Sequence, residues 1–187
     1  MTTDRVDAAF AAVPREGFLP RSQRRRAAYD GPLPIGHGQT NSQPRTVEAM
    51  LRLLDVRPGD RVLDVGSGSG WTTGLLAHLT GPTGSVLGLE LEPALVAFGR
   101  DNLGRSRPWA RIEPARPGVL GDPDGAPYDR VLVSAGAEEL PGELVDQLTP
   151  DGRLVIPVAG VMLFVEAHDA GPPAISEHGY YRFVPLR

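Results

Sequence analysis

Residues 62–71, VLDVGSGSGW, constrain this chain more than any other stretch: a short, mostly apolar strand runs into alternating glycines and then into a helix. Gly66, Gly68 and Gly70 let the backbone bend sharply and pass close to a ligand. The next strand, Ser85 to Glu90, ends in a carboxylate 20 residues after Gly70. A carboxylate at that place accepts hydrogen bonds from both hydroxyls of a ribose. Asp64, two residues before the first glycine, is placed either to meet a cofactor amino group or to bond amides of the turn. Together these residues predict a site for a nucleoside-bearing cofactor. A pyrophosphate-bridged dinucleotide fits poorly, because its G-x-G-x-x-G fingerprint needs glycine where this chain has Trp71. A nicotinamide oxidoreductase is therefore a distant reading.

The remaining pattern predicts strands alternating with helices. Val47, Met50, Leu51 and Leu54 recur at helical spacing over about 43–55, with Asn41 or Ser42 as cap and Pro44 in the first turn. Helices are also expected at Trp71–Leu79, Pro93–Leu103 and Gly142–Leu148, and strands at Arg130–Val133, Arg153–Val158, Val161–Ala167 and Tyr181–Pro185. Residues 31–43 and 104–127 read as irregular, with at most a short strand near Ile112. Such alternation implies an α/β, doubly wound, mainly parallel sheet that binds its ligand at the carboxyl ends of the central strands. A single domain is expected over 1–187: N-terminal helices and a polar loop in 1–57, a cofactor core in 58–150 and closing strands in 151–187.

Composition removes several chemistries. The chain has no cysteine, which excludes disulfides, thiolate metal sites and thiol nucleophiles. It has no lysine either, since all 19 basic residues are arginine, and this excludes Schiff bases and the P-loop lysine. His78, His168 and His178 lack metal-ligand spacing, so no metal is expected. A net charge of −4 without a basic face argues against nucleic acid. Residues 1–12 lack the apolar core of an export signal, and Leu154–Val165 is too short to span a bilayer, so a cytoplasmic location without membrane contact is expected.

Upstream of the glycine turn lies GHGQTNSQP, residues 36–44. Ser42, at a predicted helix start, is placed to orient an anion with its hydroxyl and nearby amides, or simply to cap the helix. With this loop in view, the chain resembles the protein-L-isoaspartate O-methyltransferase family within the class I methyltransferases. The family's G-x-T-x-S-x-P hallmark falls on Gly38, Thr40, Ser42 and Pro44, and agreement continues through VPREGFLP, DVGSGSG, APYD, QLTPDGRLVIPV and RFVPL. The resemblance implies a Rossmann-like sheet, S-adenosylmethionine as cofactor and an isoaspartyl carboxylate in a protein or peptide as substrate. It implies Ser42 as the catalytic serine. Thr40, Asn41, Ser42, Asp64, Gly66, Ser67, Gly68, Gly70, Glu90 and Leu91 would hold the cofactor. His37, Gly38, Gln39 and Thr40 would face the substrate. A monomer is the expected form, and a dedicated peptide substrate or a catalytically weak binding module are the alternative readings.

Three departures from the family pattern stand out. The G-D-G turn whose aspartate would meet the adenine falls on Arg116-Pro117-Gly118, leaving Glu113 or Asp122 as substitutes. Asn41 replaces an apolar residue. The chain stops at Arg187, after VPL, where members often continue and help close the cofactor site.

Overall fold

Alternate residues of the central strands point to opposite faces of one sheet and build two separate cores. Val62, Val86 and Leu132 enter one core; Leu63, Val65, Leu87, Leu89, Val131 and Val133 enter the other. The structure, a computed structural model, describes residues 4–187. It begins with α1 (Arg5–Ala12), two single 3-10 turns and a small hairpin of β1 (Leu33–Gly36) and β2 (Gln39–Asn41). There follow α2 (Pro44–Leu54), β3 (Arg61–Val65), α3 (Trp71–Thr80), β4 (Ser85–Glu90), α4 (Pro93–Leu103) and β5 (Ala110–Pro114). The chain continues through β6 (Tyr128–Val133), α5 (Gly142–Val145), β7 (Leu148–Val158), β8 (Val161–Glu166) and β9 (Ala174–Tyr180).

The seven-stranded sheet has the order β5-β4-β3-β6-β7-β8-β9. β5, β4, β3, β6 and β7 are parallel, and β8 and β9 close the sheet as an antiparallel meander. Strand order reverses between β3 and β6, which opens a crevice at their carboxyl ends. Apolar residues of α2, α3 and α4 all cover the first core. The second is covered by α5 and by irregular segments carrying Ala115, Leu120 and Leu140.

Three local expectations need correction. Residues 31–43 are not wholly irregular, because His37-Gly38 joins β1 to β2 with φ of 54° and 72°. Two successive positive φ values make the tight hairpin turn whose twist matches its strands. The helix expected to run to Leu148 ends at Val145, and Leu148 instead pairs with Tyr128 as β7 begins. The last strand is Ala174–Tyr180, not Tyr181–Pro185. Its side chains are almost all exposed, so apolar patterning carried no signal, and pairing with β8 alone makes it a strand.

The start of α3 and the middle of α4 touch through glycines. A Cβ on Gly99 would lie 3.1 Å from the Gly68 carbonyl oxygen and 2.9 Å from Ile112 Cδ1. Gly99→Ala is expected to push α4 off the glycine turn and cost about 1–3 kcal/mol. Gly17→Ala, with nothing within 4 Å of the new Cβ, serves as the control. Thermal denaturation of the two variants tests this; equal melting temperatures would refute the contact's importance.

Candidate active site

The glycine turn floors a cleft of about 300 Å³ at the carboxyl ends of the central strands. Gly66, Gly68 and Gly70 have φ of 79°, 53° and 86°, a left-handed conformation that excludes most side chains. The N–H groups of Gly66 and Ser67 donate to the Leu89 carbonyl at 2.9 and 3.0 Å, which ties the turn to β4. Gly68 N–H donates to Glu90 Oε2 at 2.9 Å, and Glu92 N–H donates to Oε1 at 3.0 Å. Glu90 is only 8% exposed, yet it lines the cleft. Backbone amides thus fix both carboxylate oxygens, and each keeps a lone pair for a ligand hydroxyl.

Opposite the turn stands the β1–β2 hairpin, held by a buried arginine. Arg15 Nε donates to Asn41 Oδ1 at 2.6 Å, and its terminal nitrogens donate to the carbonyls of Tyr29, Gly31, Asn41 and Ser42 at 2.8–3.0 Å. Burial lowers its pKa to about 10, so it stays charged at neutral pH. Asn41 in turn donates from Nδ2 to Ser69 Oγ at 3.0 Å. Its amide therefore bridges the guanidinium and the glycine turn, although Asn41 also borders the cleft. Trp71, 3% exposed, donates its indole N–H to the Val13 carbonyl and meets Phe10 edge-on, so it packs toward α1.

Ser42 borders the cleft, but neither it nor Asn41 caps α2 as expected. The N-cap is Gln43, and the Arg45 N–H donates to Asp30 Oδ1 at 3.1 Å. One amide at this helix end is thus already engaged by the chain's own carboxylate. His37, Gln39 and Thr40 line the same wall, and His37 Nδ1 lies 3.5 Å from Glu92 Oε1 at the rim.

Of the expected site residues, the cleft brings together His37, Gln39, Thr40, Asn41, Ser42, Gly66, Ser67, Gly68, Glu90 and Leu91. Gly38, Asp64 and Gly70 do not line it. Gly38 sits at the hairpin tip, and Gly70 faces α4 at Gly99. Asp64 is fully buried beneath the turn, where Oδ2 accepts from the Thr72 and Thr73 hydroxyls at 2.8 and 2.7 Å. Among the described residues no amide of the turn donates to it, and its buried Oδ1 has no partner.

The far wall holds none of the residues expected at the site. It comprises Ala115, Val119, Leu120 and Gly121 beside β5, Ser134 and Ala135 after β6, and the terminal stretch Val184–Arg187. Gln147 staples the loop beside β5: its Nε2 donates to the Leu120 carbonyl at 2.9 Å, and its Oε1 accepts from Asp122 N–H at 2.7 Å. Pro117 is exposed and outside the cleft lining. Neither Glu113 nor Asp122 lines the cleft: Glu113 pairs with Arg100, and Asp122 accepts from the Tyr128 hydroxyl at 2.6 Å. Ser134 had a usable signal, since it directly follows an apolar strand at its carboxyl end.

Two predictions follow from these buried groups. Asn41→Ile would leave Arg15 Nε and Ser69 Oγ without partners, so a loss of about 1–3 kcal/mol is expected in denaturant titration, and unchanged stability would refute the bridge. Burial raises the Asp64 pKa to about 6; the nearby Glu90 charge adds to this, and the two threonine hydroxyls oppose it. Below that pKa the folded chain keeps a proton that the unfolded chain releases near 3.8. Asp64 therefore favours folding at acidic pH and loses that contribution as pH rises through about 6. Asp64→Asn should flatten this part of the stability profile, measured by melting at several pH values; an unaltered profile would count against the assignment.

The family model described as Protein-L-isoaspartate(D-aspartate) O-methyltransferase (PCMT) matches residues 1–187. A protein-L-isoaspartate O-methyltransferase of Methanopyrus kandleri is 43% identical over 189 residues, covering 98% of this chain and 84% of its own. The Pyrococcus horikoshii enzyme of that name is 40% identical, with 98% and 85% covered. The fold superposes with a TM-score of 0.87 on a Plasmodium falciparum chain assigned to the same activity and crystallised with S-adenosyl-L-homocysteine. That chain is 29% identical, with 100% of this chain and 92% of that one covered. Turn, carboxylate, hairpin loop and closing segment all fall within the matched span, and the chain belongs to the protein-L-isoaspartate(D-aspartate) O-methyltransferase family.

Proposed function

We propose that this chain methylates the carboxylate of L-isoaspartyl residues in damaged proteins or peptides, with S-adenosylmethionine as donor, as a step in protein repair. The observation that carries this reading is the facing of Glu90 and the glycine turn by the Ser42 loop across a single cleft, in a chain of this family. The cleft suits the donor. It has the size of a small-molecule site, a carboxylate poised for ribose hydroxyls, and a glycine floor where a Cβ on Gly68 would meet Ile35 Cδ1 at 3.2 Å. Glu90, Gly66, Ser67, Gly68 and the exposed Leu91 are the residues proposed to hold it.

When bound, the cofactor supplies a methyl group on a sulfonium, which passes to a carboxylate oxygen and leaves a neutral thioether. A carboxyl group with pKa near ~3.9 is already ionised at neutral pH, so no general base is required. The protein's tasks are to orient that anion and to exclude water. Hydroxyls suit the first task better than a guanidinium, which would stabilise the free carboxylate and so slow its attack. Ser42 is proposed as the catalytic orienting group, assisted by Thr40. A second groove of about 270 Å³ shares Thr40, Ser42, Ser134 and Val184 with the cleft and continues past Tyr180 and Tyr181. It is the proposed seat of the peptide.

With labelled donor, an isoaspartyl peptide is expected to accept methyl groups and its normal aspartyl twin is not. Glu90→Ala should weaken S-adenosylhomocysteine binding about 10- to 100-fold, as the loss of hydrogen bonds to a charged group implies. Ser42→Ala should mainly lower turnover. Equal labelling of the two peptides would defeat the repair reading.

A further inference from the structure

Ser134 is the first residue after β6, beside the point where strand order reverses. Its backbone is seated on both sides. Its N–H donates to the Val65 carbonyl at 2.9 Å, and a Cβ on Gly66 would touch its carbonyl carbon at 3.7 Å. Two residues on, Gly136 exchanges hydrogen bonds with the closing segment: its N–H donates to the Val184 carbonyl at 2.7 Å, and its carbonyl accepts from Leu186 N–H at 2.8 Å. Ser134 thus stands on a rigid strip between the glycine turn and the closing segment.

Ser134 borders both the cofactor cleft and the second groove, and among the described residues only Thr40, Ser42 and Val184 share that position. Three of these four residues carry hydroxyls, and none of those hydroxyls has a hydrogen-bond partner among the described residues. Among the described residues the buried Ser67 hydroxyl on the cleft side is likewise without a partner, whereas those of Thr72, Thr73 and Thr80 are spent on acceptors within the chain. The four shared residues include no cation; Arg182 lines only the groove, and Arg187 and His37 line only the cleft. Two walls of the neck therefore offer free neutral donors, Thr40 and Ser42 from the hairpin side and Ser134 from the sheet.

We propose that Ser134 is a second hydroxyl donor to the substrate carboxylate, acting from the sheet side while Ser42 acts from the loop side. A carboxylate held from both sides by neutral donors is fixed in orientation yet keeps its charge available for attack. The inference rests on the methyltransfer reading above and adds a residue to it.

The test is methyl transfer to an isoaspartyl peptide, with S-adenosylhomocysteine affinity measured on the same proteins. Ser134→Ala removes only the hydroxyl and should lower kcat/KM for the peptide about tenfold or more, with cofactor affinity within about twofold of wild type. The isosteric pair Ser134→Thr and Ser134→Val separates hydroxyl from shape: threonine should outperform valine by a similar factor. Unchanged transfer in Ser134→Ala, a matching loss of cofactor affinity, or threonine no better than valine would each overturn the assignment. Wild type acting equally on the aspartyl twin would instead defeat the repair reading and leave the Ser134 comparison intact. Absence of any transfer by wild type would overturn both.

Discussion

One buried guanidinium holds the functional half of this molecule in shape. Arg15 is 5% exposed, and among the described residues no carboxylate lies within salt-bridge distance of it. Backbone carbonyls of residues 29, 31, 41 and 42 and the Asn41 side chain take its N–H groups instead. An ion removed from water is tolerated only where such hydrogen bonds satisfy it, so the loops cannot drift without exposing the cost of a stranded charge. The plane of Arg15 also lies against Trp71, with its carbon centre 5.5 Å from the ring centroid, which joins the clasp to α3.

From that clasp the geometry passes to the chemistry through short polar links. Asn41 carries the connection to Ser69 in the glycine turn, and Asn102 donates to the Ser69 carbonyl from α4. Glu90 is locked by amides of the turn and of Glu92. The hairpin loop and the glycine turn are therefore parts of one hydrogen-bonded unit. Thr40, Ser42 and Ser134, where the two cavities join, keep hydroxyls that no group among the described residues engages.

The sequence made the cofactor half legible because its constraints are local. The alternating glycines at 66, 68 and 70 and the carboxylate closing β4 answer to backbone conformation and strand ends, both visible in a string of residues. The hairpin at 33–41 was harder. Its turn uses His37-Gly38, where a reader looks for asparagine or aspartate before glycine. Ser42 borders the cleft but does not cap α2, and the Arg45 amide in that helix's first turn donates to Asp30, a residue twelve positions before Ser42 that only folding brings near. Asp64 belonged to the right motif, yet burial carries it under the turn instead of into the cleft.

What the sequence determined alone was the class of the sheet, its glycine-floored crevice, the carboxylate at its edge and the family of the chain. These follow from period, strand termini and short motifs. The tertiary structure decided which groups are free to act. Arg15 looks like any surface arginine until Trp71 and the hairpin enclose it, and Ser134 looks like a strand-end serine until the closing segment folds beside it. Availability of a polar atom depends on every neighbour that competes for its hydrogen bonds, and those neighbours come from distant parts of the chain.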